Sequence, residues 1–164
     1  DALILPGQGA FMQAMKSLAS FQLIEVIKTH ILANKPFLGI CLGFQVLFEG
    51  SSEHGGAKGL GIFKGHFVTF DSQVVKVPHM GWNCFHQSTS FLGSFSHLSY
   101  DDYVYFVHSY FLSMCDCQSI LYSHYQVPFV AAIEEGSVLA TQFHPEKSGP
   151  VGLSILERFC QKLS

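Results

Sequence analysis

The stretch Pro36–Gly50, PFLGICLGFQVLFEG, sets one cysteine between two glycines. PFLGI (Pro36–Ile40) is short, continuous and apolar, the pattern of a strand buried on both faces, and Leu42–Glu49 is rich in helix formers. Between them, Gly39-Ile40-Cys41-Leu42-Gly43 has the G-x-nucleophile-x-G form of a strand–turn–helix elbow. A nucleophile at such a turn sits in a strained backbone conformation. Its neighbours must lack side chains so that the chain can turn and a substrate can approach. The amides that open the following helix would point at the sulfur and favour thiolate over thiol. Gln45, four residues on, would share the helix face of Cys41 and reach the same substrate. A merely packed cysteine also fits, because free Cys is among the most buried residue types.

Outward from this elbow, ALIL (Ala2–Leu5) reads as an earlier buried strand ending at Pro6-Gly7. Ile24, Ile27 and Ile31 recur at helical spacing within Phe21–Ala33, before Asn34 and Pro36 stop the helix. Strand, helix, strand, helix implies a βαβ unit and parallel pairing. Ser51–Gly61 reads as a flexible loop. The remainder is β-rich, with strands expected at His66–Phe70, Val74–Pro78, Tyr103–Tyr110, Ile120–Tyr125, Phe129–Ile133 and Ser137–Phe143. Glu134-Glu135-Gly136 reads as a hairpin turn, so part of the sheet is antiparallel. A closing helix over Val151–Lys162 would present Leu153, Leu156, Phe159 and Cys160 on one face. The expected fold is one α/β domain over 1–164: an open, mixed, mainly parallel sheet flanked by helices, with an antiparallel β-rich part.

The totals narrow the function classes. Charged residues are 13% of the chain, about half the usual share, while Phe numbers 16 and mean hydropathy is +0.28. Such a chain buries much of itself or keeps an apolar surface for a partner. Apolar stretches such as Pro36–Phe48 and Tyr103–Cys115 fall well short of the roughly 20 residues of a membrane span. A net charge of −3 without a basic cluster points away from nucleic acid. Five irregularly placed cysteines do not form a disulfide framework, and the default compartment is a reducing cytosol. Cys115 and Cys117 are spaced C-x-C, and no histidine pair has ligand spacing, so neither a metal nor another cofactor is expected.

A thiol nucleophile needs a base, and His144 differs from the other eight histidines. It ends the apolar run SVLATQF and precedes Pro145, which holds it extended. Residues i and i+2 of an extended segment face one side, so Glu146 can accept from one ring nitrogen and leave the other for the thiol proton. A surface turn in which Glu146 solvates a strand end fits the spacing equally. Oxyanion donors would come from the amide of Leu42 and from Pro6-Gly7-Gln8-Gly9 at a strand's C-terminal end.

Together, PGQGAF (Pro6–Phe11), GICLGFQ (Gly39–Gln45) and TQFHPEKS (Thr141–Ser148) resemble the class I glutamine amidotransferases, in order and over essentially the whole chain. Within that family, VPHMGWN (Val77–Asn83) and YFVHSY (Tyr105–Tyr110) resemble the glutaminase subunits of imidazole glycerol phosphate synthases, in histidine biosynthesis. The resemblance implies a flavodoxin-like fold and a Cys41–His144–Glu146 triad that hydrolyses glutamine through a thioester. It implies oxyanion donors at Gly9 and Leu42, and a glutamine site formed by Gly9, Gln45, Glu53, Ser109 and Tyr110. It also implies a (β/α)8-barrel cyclase partner that receives the ammonia across Met80, Gly81, Trp82 and Asn83. Three departures stand out. The family's chains begin with a further strand and helix, so this chain reads as N-terminally incomplete, with an edge left unpaired. Gln8 replaces a common apolar residue, and Cys115 and Cys117 have no family counterpart. Another class I amidotransferase, a non-catalytic remnant of such a subunit, or a thiol hydrolase on a different α/β scaffold are the competing readings.

Overall fold

The structure, a computed structural model, describes residues 1–88 and 93–163. Its centre is strand β2 (Phe37–Ile40), buried along its whole length. Strands β1 (Leu3–Leu5) and β12 (Val138–Thr141) flank it in parallel, with Leu3 opposite Phe37 and Ala140 opposite Gly39. Past β12 the sheet continues antiparallel through β11 (Val127–Glu135), β10 (Ser119–Tyr125) and β7 (Gln87–Ser88). The expected open, mixed α/β sheet is present, and β11 turns into β12 where the hairpin was expected. Parallel pairing joins β1, β2 and β12 within this sheet. Strand β1 is the sheet's edge, and Ile4 on it is 55% exposed.

Both faces of the sheet are covered, which is why β2 and β12 read as unbroken apolar runs. Leu38, Ile40 and Leu139 join one core cluster with Phe106, Phe129, Phe143 and Phe159. Phe37, Val138 and Ala140 join another, with Phe11, Phe44, Phe48 and Phe67. The second cluster packs beneath helices α1 (Phe11–Ser20) and α2 (Leu23–Leu32). A smaller sheet, β4-β3-β5-β9, lies on that side; it comprises β3 (Phe48–Ser51), β4 (Ala57–Lys58), β5 (Phe63–Thr69) and β9 (Tyr110–Phe111). The first cluster takes in helix α4 (Gly149–Gln161) and the ribbon of β6 (His79–Cys84) with β8 (Tyr103–His108).

Several sequence expectations are corrected. The helix expected over Leu42–Glu49 is only Leu42–Gln45 (α3), because Val46, Leu47 and Phe48 enter the core and Phe48–Ser51 pairs as a strand. Gly50 permits that pairing, since a Cβ there would run into the Ala57 carbonyl. Part of the expected Ser51–Gly61 loop is accordingly β4 and a 3-10 turn at Glu53–Gly55. Helix α1 was not expected. Its N-cap, Ala10, has no capping side chain; instead Glu53, 42 residues away, accepts the Phe11 N–H at 2.6 Å. Val74–Pro78 is no strand, because Asp71 turns the chain: its carbonyl accepts from the amides of Val74 and Val75. On α4 the buried face is Gly152, Ile155 and Phe159, while Leu153 and Cys160 are exposed.

The elbow depends on one close approach. A Cβ at Gly43 would overlap the Leu5 carbonyl oxygen at the end of β1. Gly43→Ala should therefore lower unfolding stability by about 3 kcal/mol, read as a shifted urea midpoint with an unchanged slope.

Candidate active site

Cys41 sits between β2 and α3 with φ 53° and ψ −104°, a conformation costing a non-glycine residue on the order of 1–3 kcal/mol. Neighbouring strands hold it there: its N–H donates to the Thr141 carbonyl at 2.7 Å. Gly39 is needed as well, since a Cβ there would lie 2.8 Å from the Gly43 carbonyl oxygen. The expected thiolate is not the resting state. Burial pushes the Cys41 thiol up to about 11; the Leu42 amide, Lys147 and Gln142 pull the other way, and Glu146 adds to the rise. A helix of four residues has too few aligned peptides to offset that burial.

A cavity of about 260 Å³ opens on Cys41, below the usual range for drug-sized ligands and suited to an amino acid. Gly9, Leu42 and Gln45 line it from the elbow side, and Glu53, Ser109 and Tyr110 from the other elements. All the residues expected to bind glutamine are thus brought together. Gly9, at φ 106°, adopts a conformation that L side chains rarely take. One Glu53 oxygen caps α1 and the other lies 3.9 Å from His54. The Leu42 amide, expected to serve an oxyanion, donates at 3.4 Å to the Gly7 carbonyl.

His144 is extended, as its proline predicts, and Pro145–Lys147 forms a 3-10 turn. That turn brings the Glu146 Oε1 to 2.8 Å from the His144 Nδ1, which donates to it. His144 is buried, and its Nε2 has no hydrogen-bond partner among the described residues. The Cys41 Sγ lies instead 3.9 Å from the Val107 carbonyl oxygen and 3.7 Å from the Gln142 Nε2. A second cavity of about 250 Å³ touches His144, Glu146 and Ile40 beside Pro6–Gln8.

Sequence reading missed two groups. Gln142, directly after β12, is fully buried against the sulfur. The other is a buried imidazole pair. The His108 Nδ1 must donate to the Tyr110 carbonyl (2.9 Å), so its Nε2 accepts from the His79 Nδ1 (2.9 Å), and Asn83 donates to the His79 Nε2 (3.3 Å). Burial lowers His79 to about 4 and His108 to about 3. This neutral chain braces the wall that carries Ser109 and Tyr110. No spacing rule announces it.

Met80, Gly81, Trp82 and Asn83 lie on β6, paired antiparallel with β8. Met80 is 61% and Trp82 56% exposed, and Trp82 meets Tyr105 edge-to-face at 6.0 Å. Asn83 is tied down by His79 and the His124 carbonyl, so the four do not form one uniform surface. Among the described residues no group of three or more metal-ligating side chains gathers, and no helix is long and apolar enough to cross a membrane.

This fold and elbow are those of a known class. Residues 1–163 match the model of the family "Glutamine amidotransferase class-I", and the chain belongs to that family. Solved structures agree on the fold: a glutamine amidotransferase superimposes with a TM-score of 0.66 at 16% identity, covering 97% of this chain and 79% of its own. A glutamine amidotransferase from Thermotoga maritima gives 0.64 at 16% identity, covering 99% and 63%. Among curated relatives, the chain is 48% identical to imidazole glycerol phosphate synthase subunit HisH of Aquifex aeolicus, over 99% of this chain and 78% of the relative. It is 44% identical to the HisH subunit of Lactococcus lactis, over 99% and 80%.

The imidazole pair sets an acid sensitivity. Below pH 6.5 the unfolded chain protonates both rings, whereas the folded protein refuses those protons down to about pH 4 and about pH 3. Stability is therefore lost on acidification from pH 6.5, at up to about 1.4 kcal/mol per pH unit for each ring. Denaturant titrations at pH 7, 6 and 5 should show this fall, and His79→Gln should remove about half of it.

Proposed function

We propose that this chain is the glutaminase subunit of an imidazole glycerol phosphate synthase, a cytoplasmic enzyme of histidine biosynthesis, with 1–164 acting as one amidotransferase domain. It hydrolyses L-glutamine to glutamate and ammonia and passes the ammonia to a (β/α)8-barrel cyclase subunit within a heterodimer. The observation that carries this reading is the cavity in which Cys41, Gln45, Glu53, Ser109 and Tyr110 meet, with a buried imidazole backed by a carboxylate close by.

In this mechanism the Cys41 proton passes to the His144 Nε2 and the sulfur attacks the side-chain amide carbon of glutamine. The amides of Gly9 and Leu42 hold the oxyanion. His144 returns the proton to the departing nitrogen, ammonia leaves, and a γ-glutamyl thioester remains. Water, deprotonated by His144, attacks the thioester carbon; the sulfur departs and glutamate is released. Glu146 orients the imidazole throughout. Glu53 holds the α-ammonium with the oxygen that does not cap α1.

Three features support a site that fires only when docked. The thiol is pushed up to about 11, the His144 Nε2 is unengaged, and the Leu42 amide is held by the Gly7 carbonyl. Each must change for turnover. The exposed Met80 and Trp82 on the β6–β8 ribbon support docking there, since aromatic and Met side chains are enriched in interface cores.

Glutamate release with a cognate cyclase and its nucleotide substrate tests the reading. Cys41→Ala should reduce release at least about a thousandfold while leaving cyclase binding intact. Turnover retained in that variant would remove Cys41 from the mechanism. Trp82→Ala should weaken cyclase association about tenfold or more by titration, because buried aromatic anchors carry much of an interface's energy.

A further inference from the structure

Gln142 occupies a position that the triad does not explain. It follows β12 directly, is fully buried, and its backbone N–H donates to the Ala131 carbonyl at 2.8 Å. The register that pairs Ile40 with Thr141 sets residue 142 beside Cys41. Its side chain is committed at both ends: the carbonyl accepts from the Gln45 Nε2 at 2.9 Å, and the Nε2 donates to the Cys41 Sγ at 3.7 Å. Beside the Leu42 amide, the sulfur thus has two neighbours of opposite preference. The Val107 carbonyl can only accept, which favours S–H; the Gln142 amide donates, which favours S⁻.

We infer that Gln142 is a catalytic residue whose side-chain amide donates to the Cys41 sulfur and stabilises it as an anion, and that Gln45, by donating to the Gln142 carbonyl, ties the glutamine-binding wall to the nucleophile. This rests on the reading of Cys41 as the nucleophile. When the proton moves from Sγ to the His144 Nε2, the sulfur gains a full negative charge in a dry site. A charge-assisted hydrogen bond strengthens at that moment, while the contact with the Val107 carbonyl turns repulsive. The anionic sulfur is therefore drawn away from Val107. The Gln45–Gln142 amide pair polarises in the same direction, so a substrate that engages the Gln45 carbonyl strengthens the donor on the sulfur.

The test is the pH dependence of Cys41 alkylation by iodoacetamide, small enough for a cavity of about 260 Å³, followed on the Cys41 peptide by mass spectrometry. Gln142→Met removes the donor while keeping an unbranched side chain of similar length; Gln142→Glu replaces it with a charge that repels the thiolate. Both variants are first checked for an intact fold by cyclase binding. For Gln142→Met the inflection should rise by about one pH unit, so that alkylation at pH 8 slows about tenfold. Gln142→Glu should raise it further. In the cyclase complex, kcat for glutamate release should fall with the KM for glutamine changed by less than about threefold. A purely structural role would lower the alkylation amplitude or the melting temperature without moving the inflection. An unmoved inflection in both variants overturns the inference. Because alkylation needs no turnover, this result stands apart from the Cys41→Ala outcome, which tests the nucleophile itself.

Discussion

The parallel register between β2 and β12 fixes everything that follows it in the site. Through it the Cys41 N–H meets the Thr141 carbonyl, which holds the elbow in its strained conformation and sets Gln142 against the sulfur. The same strand end delivers His144, and its proline turns the chain so that Glu146 folds back on the ring. A slip of one residue would exchange the two faces of β12, sending Leu139 to the wrong cluster and moving Gln142 and His144 together away from Cys41. Reactive geometry and core packing are therefore specified by one ladder. The glycines at 39 and 43 supply the room that this ladder needs.

What the sequence made legible was whatever a local pattern encodes. The elbow was readable from Gly39–Gly43, and the His144–Glu146 pair from the proline between them, although a 3-10 turn and not an extended backbone closes it. The sheet's character followed from unbroken apolar strands such as FLGI and VLAT. What escaped was decided at long range. Helix α1 lacks a local cap and is closed by Glu53 from another element. The helix after Cys41 is cut to one turn because Phe48 is worth more in the core than in a helix, and tertiary burial overrides propensity. His79 and His108 form a pair across β6 and β8, where only the fold supplies the partner.

The electrostatics run against the simplest account of an elbow cysteine. A short helix cannot overcome burial, so the thiol rests protonated. The neutral imidazole chain behind Ser109 and Tyr110 has a related logic. Being uncharged, it braces the pocket wall without adding a field that would compete with the substrate's own charges.

The tie between Glu53 and α1 carries a mechanical meaning. One carboxylate serves two masters, the opening turn of a helix and the cavity, through its two oxygens. A carboxylate turned away from Phe11 would leave the first amide of α1 uncapped, because Ala10 supplies no side-chain cap. The first turn of α1 is thus closed from another element, and the exchange rate of that single backbone proton reports where the Glu53 carboxylate sits.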